Sequence, residues 1–350
     1  MGAAAPNVDI LLDGAEVPDG DLISYVVDRD MFQPDMAAIV LSNQNDIYSG
    51  KYKVGSTVEI KVGNPPTQIY KGEIVGFEGI YKGGETTKLV IRAMNKMHRL
   101  LRKRKSVTFT DKSDQQIIQQ VAGDAGLSVE WKHEKSITYK HVYQHNQTDL
   151  EFIRMRAARL GCHVWCVDTK LYVKEPDLGA SGAGPDLSVD KDGNLRAFTP
   201  RLSSAAVVKK VTVRGWNPET KELIVGEAEA QNSPLGSQNA VAGAGDLGSE
   251  ETFTVDHPIW TAEEAKMLAK ARLRDLNLTY ITGEAECKGE AKYDLGTTVK
   301  VKANEGPGAS SDPFNGKYYI MGITHRHTSS KNQDGGFVTI LKFARDAQKA

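Results

Sequence analysis

Gly55-Ser56-Thr57-Val58-Glu59-Ile60-Lys61-Val62 decides how this sequence is read. Val58, Ile60 and Val62 fall on one side of an extended chain, Glu59 and Lys61 on the other. That period of two marks a strand with one face buried and one wet. The pattern returns far downstream as Gly296-Thr297-Thr298-Val299-Lys300-Val301-Lys302-Ala303: a turn glycine, a hydroxyl pair, then alternating apolar and charged residues. Two more stretches follow in the same order. Glu73-Ile74-Val75-Gly76-Phe77 aligns with Tyr319-Ile320-Met321-Gly322-Ile323, and Leu89-Val90-Ile91-Arg92 with Thr339-Ile340-Leu341-Lys342.

Short strands with glycine turns, met twice, predict a mainly β fold with an α/β insert: two related β-barrel domains from an internal repeat, plus a small α/β domain. The first barrel takes residues 1–105, with earlier strands at Asp9-Ile10-Leu11-Leu12 and Ile39-Val40-Leu41. The second takes 179–350. Its early strands are expected near Val207–Arg214, and an insertion at about 219–279 containing one helix splits it. Residues 106–178 form the α/β insert, closed by the strand Lys170-Leu171-Tyr172-Val173. The stretch Gly179-Ala180-Ser181-Gly182-Ala183-Gly184-Pro185 reads as a flexible boundary, and Ala240–Gly248 as a surface loop.

Three helices share one start signal. Ser113-Asp114-Gln115-Gln116, Thr148-Asp149-Leu150-Glu151 and Thr261-Ala262-Glu263-Glu264 each place a hydroxyl at the N-cap and a Gln or Glu three residues on. The hydroxyl accepts from the N3 amide and the N3 side chain reaches back to the cap amide. Gly126 and Gly161 suit left-handed stops after the first two.

Composition removes several function classes. The chain has 350 residues, 40% hydrophobic and 25% charged, with 44 Lys+Arg against 45 Asp+Glu and a net charge of -1. That is an ordinary globular balance, large enough for two or three domains. It gives no ground for a dedicated nucleic-acid site or an anionic membrane partner. Cys162, Cys166 and Cys287 are too few and too odd for a secreted disulfide framework. Met1–Pro6 shows no basic and apolar signal pattern, so synthesis in a bacterial cytoplasm without a signal peptide is expected. The apolar run Ala37–Leu41 is too short to span a bilayer, so no membrane segment is expected.

A duplicated barrel with no evident chemistry points to assembly. Closed rings are the usual product of self-association. A homotrimer would present six similar units, so a threefold object could dock on a sixfold one.

One region is recognisable. Tyr143-Gln144-His145-Asn146-Gln147-Thr148-Asp149-Leu150-Glu151-Phe152-Ile153-Arg154, continuing through Ala157-Ala158-Arg159-Leu160-Gly161-Cys162-His163-Val164-Trp165, resembles the late control D family of contractile phage tails and the N-terminal half of the VgrG proteins of type VI secretion. Val213-Arg214-Gly215-Trp216-Asn217-Pro218-Glu219-Thr220-Lys221 is similar to a second landmark of that family, and Gly316-Lys317-Tyr318-Tyr319-Ile320 with Thr324-His325 to a third. The resemblance spans essentially the whole chain. It implies a structural baseplate hub of a contractile tail or injection system, part of a virion tail or tail-like particle. Its partners would be two further copies of itself, a hexameric tail tube or tube-initiator protein, a trimeric spike, and other baseplate proteins. VgrG proteins continue into a spike; no sequence follows Ala350 here, so the spike is expected to be a separate chain. A phage, a bacteriocin-like particle, an extracellular injection system and a type VI device all remain open.

Residues that could carry chemistry are few. His325-Arg326-His327 puts two imidazoles on one strand face, with no Cys, Asp or Glu nearby to complete a ligand set. His141 and His145 lie in an extended segment. Cys162 and Cys166 read as small apolar residues on a strand. Arg99-Leu100-Leu101-Arg102-Lys103-Arg104-Lys105 is the one dense basic run, read as a solvated exit from the first barrel. No catalytic, cofactor-binding or metal residue is expected, and no cofactor. The rival readings are a tail-associated cell-wall hydrolase and a monomeric β binding module.

Overall fold

The computed structural model describes residues 7–133, 136–190, 193–254, 259–329 and 336–349. Met1–Pro6 and Ala350, on which the leader and terminus expectations fall, lie outside them. The chain opens with β1 (Val8–Leu12), β2 (Ala15–Glu16), β3 (Leu22–Asp30), β4 (Met36–Ser42), β5 (Thr57–Val62), β6 (Thr67–Ile80) and β7 (Lys88–Met94). A 3-10 turn at Lys96–Leu101 leads into β8 (Arg104–Ser113), α1 (Asp114–Asp124), β9 (Ser128–Lys132), β10 (Thr138–Thr148), α2 (Asp149–Arg159), β11 (His163–Val167) and β12 (Lys170–Lys174). Next come β13 (Leu187–Ser188), β14 (Leu195–Leu202), β15 (Val208–Asn217), β16 (Glu222–Glu229), β17 (Gln238–Asn239), α3 (Ala240–Ala244), β18 (Ser249–Thr254) and α4 (Ala262–Asn277). The chain ends with β19 (Ile281–Lys288), β20 (Thr298–Lys302), β21 (Gly316–Thr328), β22 (Gly336–Arg345) and β23 (Ala347–Gln348). Among the described residues no helix is long and apolar enough to cross a membrane.

The alternation read from the sequence is the alternation of burial. Val58, Ile60 and Val62 are buried while Glu59 and Lys61 are partly exposed, and Val299 and Val301 are buried while Lys300 and Lys302 are exposed. Thirteen strands join in one sheet, ordered β14-β19-β22-β21-β3-β4-β7-β6-β5-β1-β2, with β20 and β13 attached through β21. It covers two apolar cores. One gathers Ile10, Leu12, Ile39, Leu41, Val58, Ile60 and Ile91. The other gathers Ile281, Val299, Val301, Ile320, Leu341 and Phe343.

The segments aligned from sequence also pair alike. Thr57 lies opposite Glu73, and Thr298 opposite Tyr319. Gly76 faces Arg92 and Gly322 faces Lys342, each just past a bulge, at Ile74/Gly76 and Ile320/Gly322. The turn glycines repeat the contact: Gly55 N donates to Ile74 O at 2.8 Å and Gly296 N to Ile320 O at 3.1 Å. Both have positive φ, which a Cβ would oppose. The order β5-β6-β7-β4-β3 thus has its counterpart in β20-β21-β22-β19-β14. The first strands differ: β1 is antiparallel to β5, whereas β13 is parallel to β20.

Closed barrels, expected from the strand pattern, do not form among the described residues. To close the first set, β3 would have to pair with β1. Instead its second edge is taken by β21, with Gly322 opposite Asp30 and Thr328 opposite Ser24, and the second edge of β1 is taken by β2. The result is one continuous open sheet.

Three local expectations also change. Val207–Arg214 does not enter the large sheet. β15 pairs with β16 and β18 because Val208, Val211 and Val213 pack on Ala265, Leu268, Ala269 and Leu273 of α4. The 219–279 segment carries two α-helices rather than one, since Asn239 caps α3 by accepting from Ala242 N and Ala240 is buried. Gly179–Pro185 is not a free boundary. Gly182 N donates to Thr298 O at 3.1 Å and Thr298 N to Ala180 O at 2.8 Å, an approach that small residues permit.

Residues 104–174 carry the β8·β10 ribbon, the β11-β12-β9 sheet, and α1 and α2 packed on a common core. Both capping boxes are present, Ser113 with Gln116 and Thr148 with Glu151. Gly126 and Gly161 take positive φ after the helices. α4 keeps half of its box. Thr261 accepts from Glu264 N, but the Glu264 carboxylate receives Trp260 N at 3.0 Å and Arg159 at 2.5 Å.

Candidate functional site

The histidine pair on β21 is built into the sheet. His325 is fully buried, with Nδ1 3.1 Å from Thr339 Oγ1 and its ring stacked on Phe337. Burial, aided by Arg29, pushes its pKa down to about 3, so the ring is neutral. His327 stacks on Tyr25. Among the described residues no group of three or more metal-ligating side chains comes together. His141 and His145 lie exposed on β10.

The three thiols are buried and free. Burial raises Cys162 and Cys287 to about 12 and Cys166 higher still, which keeps them protonated and poor nucleophiles. His163, next to Cys162 in sequence, turns instead toward Tyr319 Oη at 3.2 Å and Asp275 at 3.7 Å. Burial lowers its pKa. Burial also works against the Asp275 carboxylate, but His163 and Arg274 outweigh it and hold that pKa below the ordinary value.

The basic run is largely neutralised within the chain. Arg99 grips Glu73 through two hydrogen bonds of 3.1 and 2.5 Å, Arg104 meets Glu151 at 3.2 Å, and Lys105 meets Asp149 at 2.6 Å. Burial disfavours the Glu73 carboxylate, yet Arg99 and His98 keep its pKa depressed. Arg102 and Lys103 line a groove of about 840 Å³ between the first strands and the end of α1.

Two polar clusters join parts of the chain that are distant in sequence. Arg29, at the end of β3, approaches Asp35 at 3.9 Å, Asp294 at 3.5 Å and Tyr293 O at 3.5 Å. The same short link is tied to the α/β region: Asn95 N donates to Asp35 O at 2.9 Å and Asn95 Nδ2 to Cys166 O at 3.1 Å. Burial pushes Asp35 up to about 7 against the pull of Arg29. The second cluster sits between α1, α2 and α4. Arg156 pairs with Asp114, Arg159 pairs with Glu264, and both guanidinium groups lie over the Tyr139 ring, at 4.6 and 5.3 Å. These clusters fix relative positions, and the first of them lines a cleft of about 310 Å³ together with Tyr70, Lys71 and Asp168.

The landmarks quoted above have structural work to do. Gln144 Nε2 donates to Gln147 O at 3.0 Å and Asp149 Oδ1 at 3.1 Å, fixing the bulged end of β10 to the start of α2. Gly316 takes positive φ against Arg345. Arg345 is fully buried and donates to the carbonyls of Leu235, Pro313, Asn315 and Lys349. Sequence reading missed Arg29, Asp35 and Arg345; a lone charge at a strand end carries no local signal of burial.

The large sheet ends at β2 and β14, and an unpaired strand edge is a template for another chain. β14 is largely exposed and carries Arg196, Pro200 and Arg201, residue types that restrain uncontrolled pairing.

A family model described as the Alg8 N-terminal domain matches residues 7–329. No curated protein matches this chain. Solved structures share its fold over nearly its whole length. The tail protein from Neisseria meningitidis MC58 superposes with a TM-score of 0.71 at 15% identity, over 99% of this chain and 98% of that one. The 43 kDa tail protein of prophage MuSo2 from Shewanella oneidensis gives 0.70 at 15%, over 98% and 99%. The E. coli c3393 protein, described as a component of the type VI secretion system with structural similarity to the T4 tail proteins gp27 and gp5, gives 0.63 at 12%, over 95% and 76%. At these identities the likeness is one of fold.

Proposed function

This chain belongs to the Alg8 N-terminal domain family, and from that premise and its fold we propose that it is a structural, non-enzymatic baseplate hub of a contractile tail or injection system. Three copies form a ring. Each contributes two related β units, residues 1–105 and 179–350, with 106–178 as an α/β insert between them and 219–279 interrupting the second. Six similar units then face the hexameric inner tube or its initiator, while the threefold face meets a trimeric spike. The observation that carries this reading is the pairing of β5-β6-β7 and β20-β21-β22 in the same register with the same bulge. Two units alike to that degree offer a ring partner similar surfaces at alternating positions, which is what threefold-to-sixfold matching requires. The full-length fold likeness to tail proteins supports the same reading.

Light scattering at micromolar concentration tests it. A mass three times the 38.2 kDa of one chain is expected. A dimer or tetramer overturns the ring. Lysis of peptidoglycan in a zymogram by the purified chain would overturn the non-enzymatic assignment.

A further inference from the structure

The small β16-β15-β18 sheet has one face covered and one face open. α4 covers the inner face, where Val211, Val213 and Ile259 are fully buried. On the outer face the two ends differ. At one end the charges close on themselves: Lys210 meets Glu227 at 2.8 Å, and Thr212 Oγ1 lies 3.3 Å from the same carboxylate. At the other end Trp216 stands directly opposite Leu223, and Arg214 opposite Val225. Trp216 is 52% exposed, Leu223 61% and Val225 42%. Arg214 is exposed and makes no ion pair or hydrogen bond with its side chain among the described residues.

This surface is held in place. Asn217 Nδ2 donates to Trp260 O at 3.2 Å, Ile259 N donates to Trp216 O at 3.2 Å, and Asn217 Oδ1 accepts from Glu219 N at 2.9 Å to set the turn. Lys140 of the α/β region clasps Glu219 beyond it. Among the described residues β16 pairs with β15 alone, so its other side is an edge that offers unpaired main-chain groups. An apolar patch on rigid backbone, beside a free edge, is the composition of a strand-addition site.

We propose that the Leu223–Gly226 half of β16 receives an extended segment of a partner protein. The segment adds as a strand, places alternate apolar side chains on Trp216, Leu223 and Val225, and presents a carboxylate to Arg214. The spacing argues for a strand, because Leu223 and Val225 are two residues apart on one face. Charge selects among strands: Arg214 is uncompensated, while Glu229, farther along β16, is exposed and faces a lysine, Lys210, whose ion pair is made with Glu227. The incoming segment therefore carries an acid toward Arg214 and a base toward Glu229. This inference stands on the small sheet alone and does not need the ring proposed above.

The test is fluorescence anisotropy with the full chain and a labelled synthetic decapeptide of alternating valine and threonine, with a central aspartate and a terminal lysine. Saturable binding is expected. Trp216→Ser should weaken it about 10-fold or more, as for a truncated interface anchor. Arg214→Glu should weaken it about 10-fold, and replacing the peptide aspartate by lysine should restore the affinity of that variant. Both substitutions lie on an exposed face, and far-UV circular dichroism checks that the fold is kept. Absence of saturable binding, or binding that both substitutions leave unchanged, overturns the proposal. A change of native mass on Trp216→Ser also overturns it, because the patch would then be covered by a second copy of the chain. The mass of the unsubstituted chain tests the ring separately.

Discussion

Replacing Arg156 by methionine should be among the most damaging single changes in this protein, and replacing its partner as well should undo most of the damage. Arg156 and Asp114 are paired with side chains only 4% and 3% exposed. Burial already raises the pKa of Asp114, with Arg156 opposing the shift. Arg156→Met leaves that carboxylate in the core without its cation, which costs about 3–5 kcal/mol. Asp114→Leu strands the guanidinium and should cost about as much, plus about 0.3–1 kcal/mol for an acid lost from the first turn of α1. The double variant strands neither charge and should lie within about 1–2 kcal/mol of the unsubstituted chain, since an apolar replacement of a buried pair is often neutral. The pH dependence has a definite sign. In Arg156→Met the folded-state pKa of Asp114 rises further above its unfolded value of 3.8, so the folded state holds a proton that the unfolded chain releases. The deficit is then smallest in acid and grows as pH rises from about 4 toward neutrality. Urea unfolding at pH 5 and pH 7.5, followed by far-UV circular dichroism for all four variants, measures the cycle. Two single losses that simply add in the double variant, or a deficit that shrinks with rising pH, would refute the argument.

Asp35→Asn addresses the junction between the sheet and the α/β region. Burial raises the Asp35 pKa from 3.8 to about 7, so the unsubstituted protein loses stability relative to the variant as pH rises from about 4 to 7; a flat difference in urea midpoints would mean that Arg29 keeps the carboxylate ionised. His325→Gln should do the reverse. A His held neutral to about 3 costs stability as pH falls below 6.5, so the variant should be less sensitive to acid, read as melting temperature at pH 4 against pH 7. Gly226→Ala should destabilise by about 1–3 kcal/mol, because a Cβ there would run into the backbone of α4 at Ala265 and Lys266; an unchanged urea midpoint would show that α4 is free to shift. On the assembly reading, sedimentation should give a trimer that persists in 0.5 M salt if apolar strand surfaces close the ring, and that dissociates if charge pairs do.

Much of the local structure was legible because it is dictated by near neighbours. Alternation in Thr57–Val62 and Thr298–Lys302 sets which side chains are buried, and two hydroxyl-x-x-acid or -amide signals became complete capping boxes. The third did not, since Glu264 met Arg159 and the Trp260 amide, partners no local window contains. The open face at Trp216 had a signal that went unused: Val211 and Val213 facing inward oblige Arg214 and Trp216 to face out.

By itself, then, the chain's order of residues determined strand phase, helix starts and stops, and the correspondence of two sets of strands. Each depends on neighbours a few residues away or on self-similarity. The tertiary structure decided how edges are shared. β3 gives its second edge to β21 and not to β1, so the two sets fuse into an open sheet instead of closing as barrels. It also decided that Val208–Asn217 joins a separate sheet under α4, and that Arg29, Asp35 and Arg345 are buried. Strand alternation specifies a face but leaves the edge unspecified, because backbone hydrogen bonds at an edge are the same for every sequence. The choice of neighbour falls to packing between residues hundreds of positions apart.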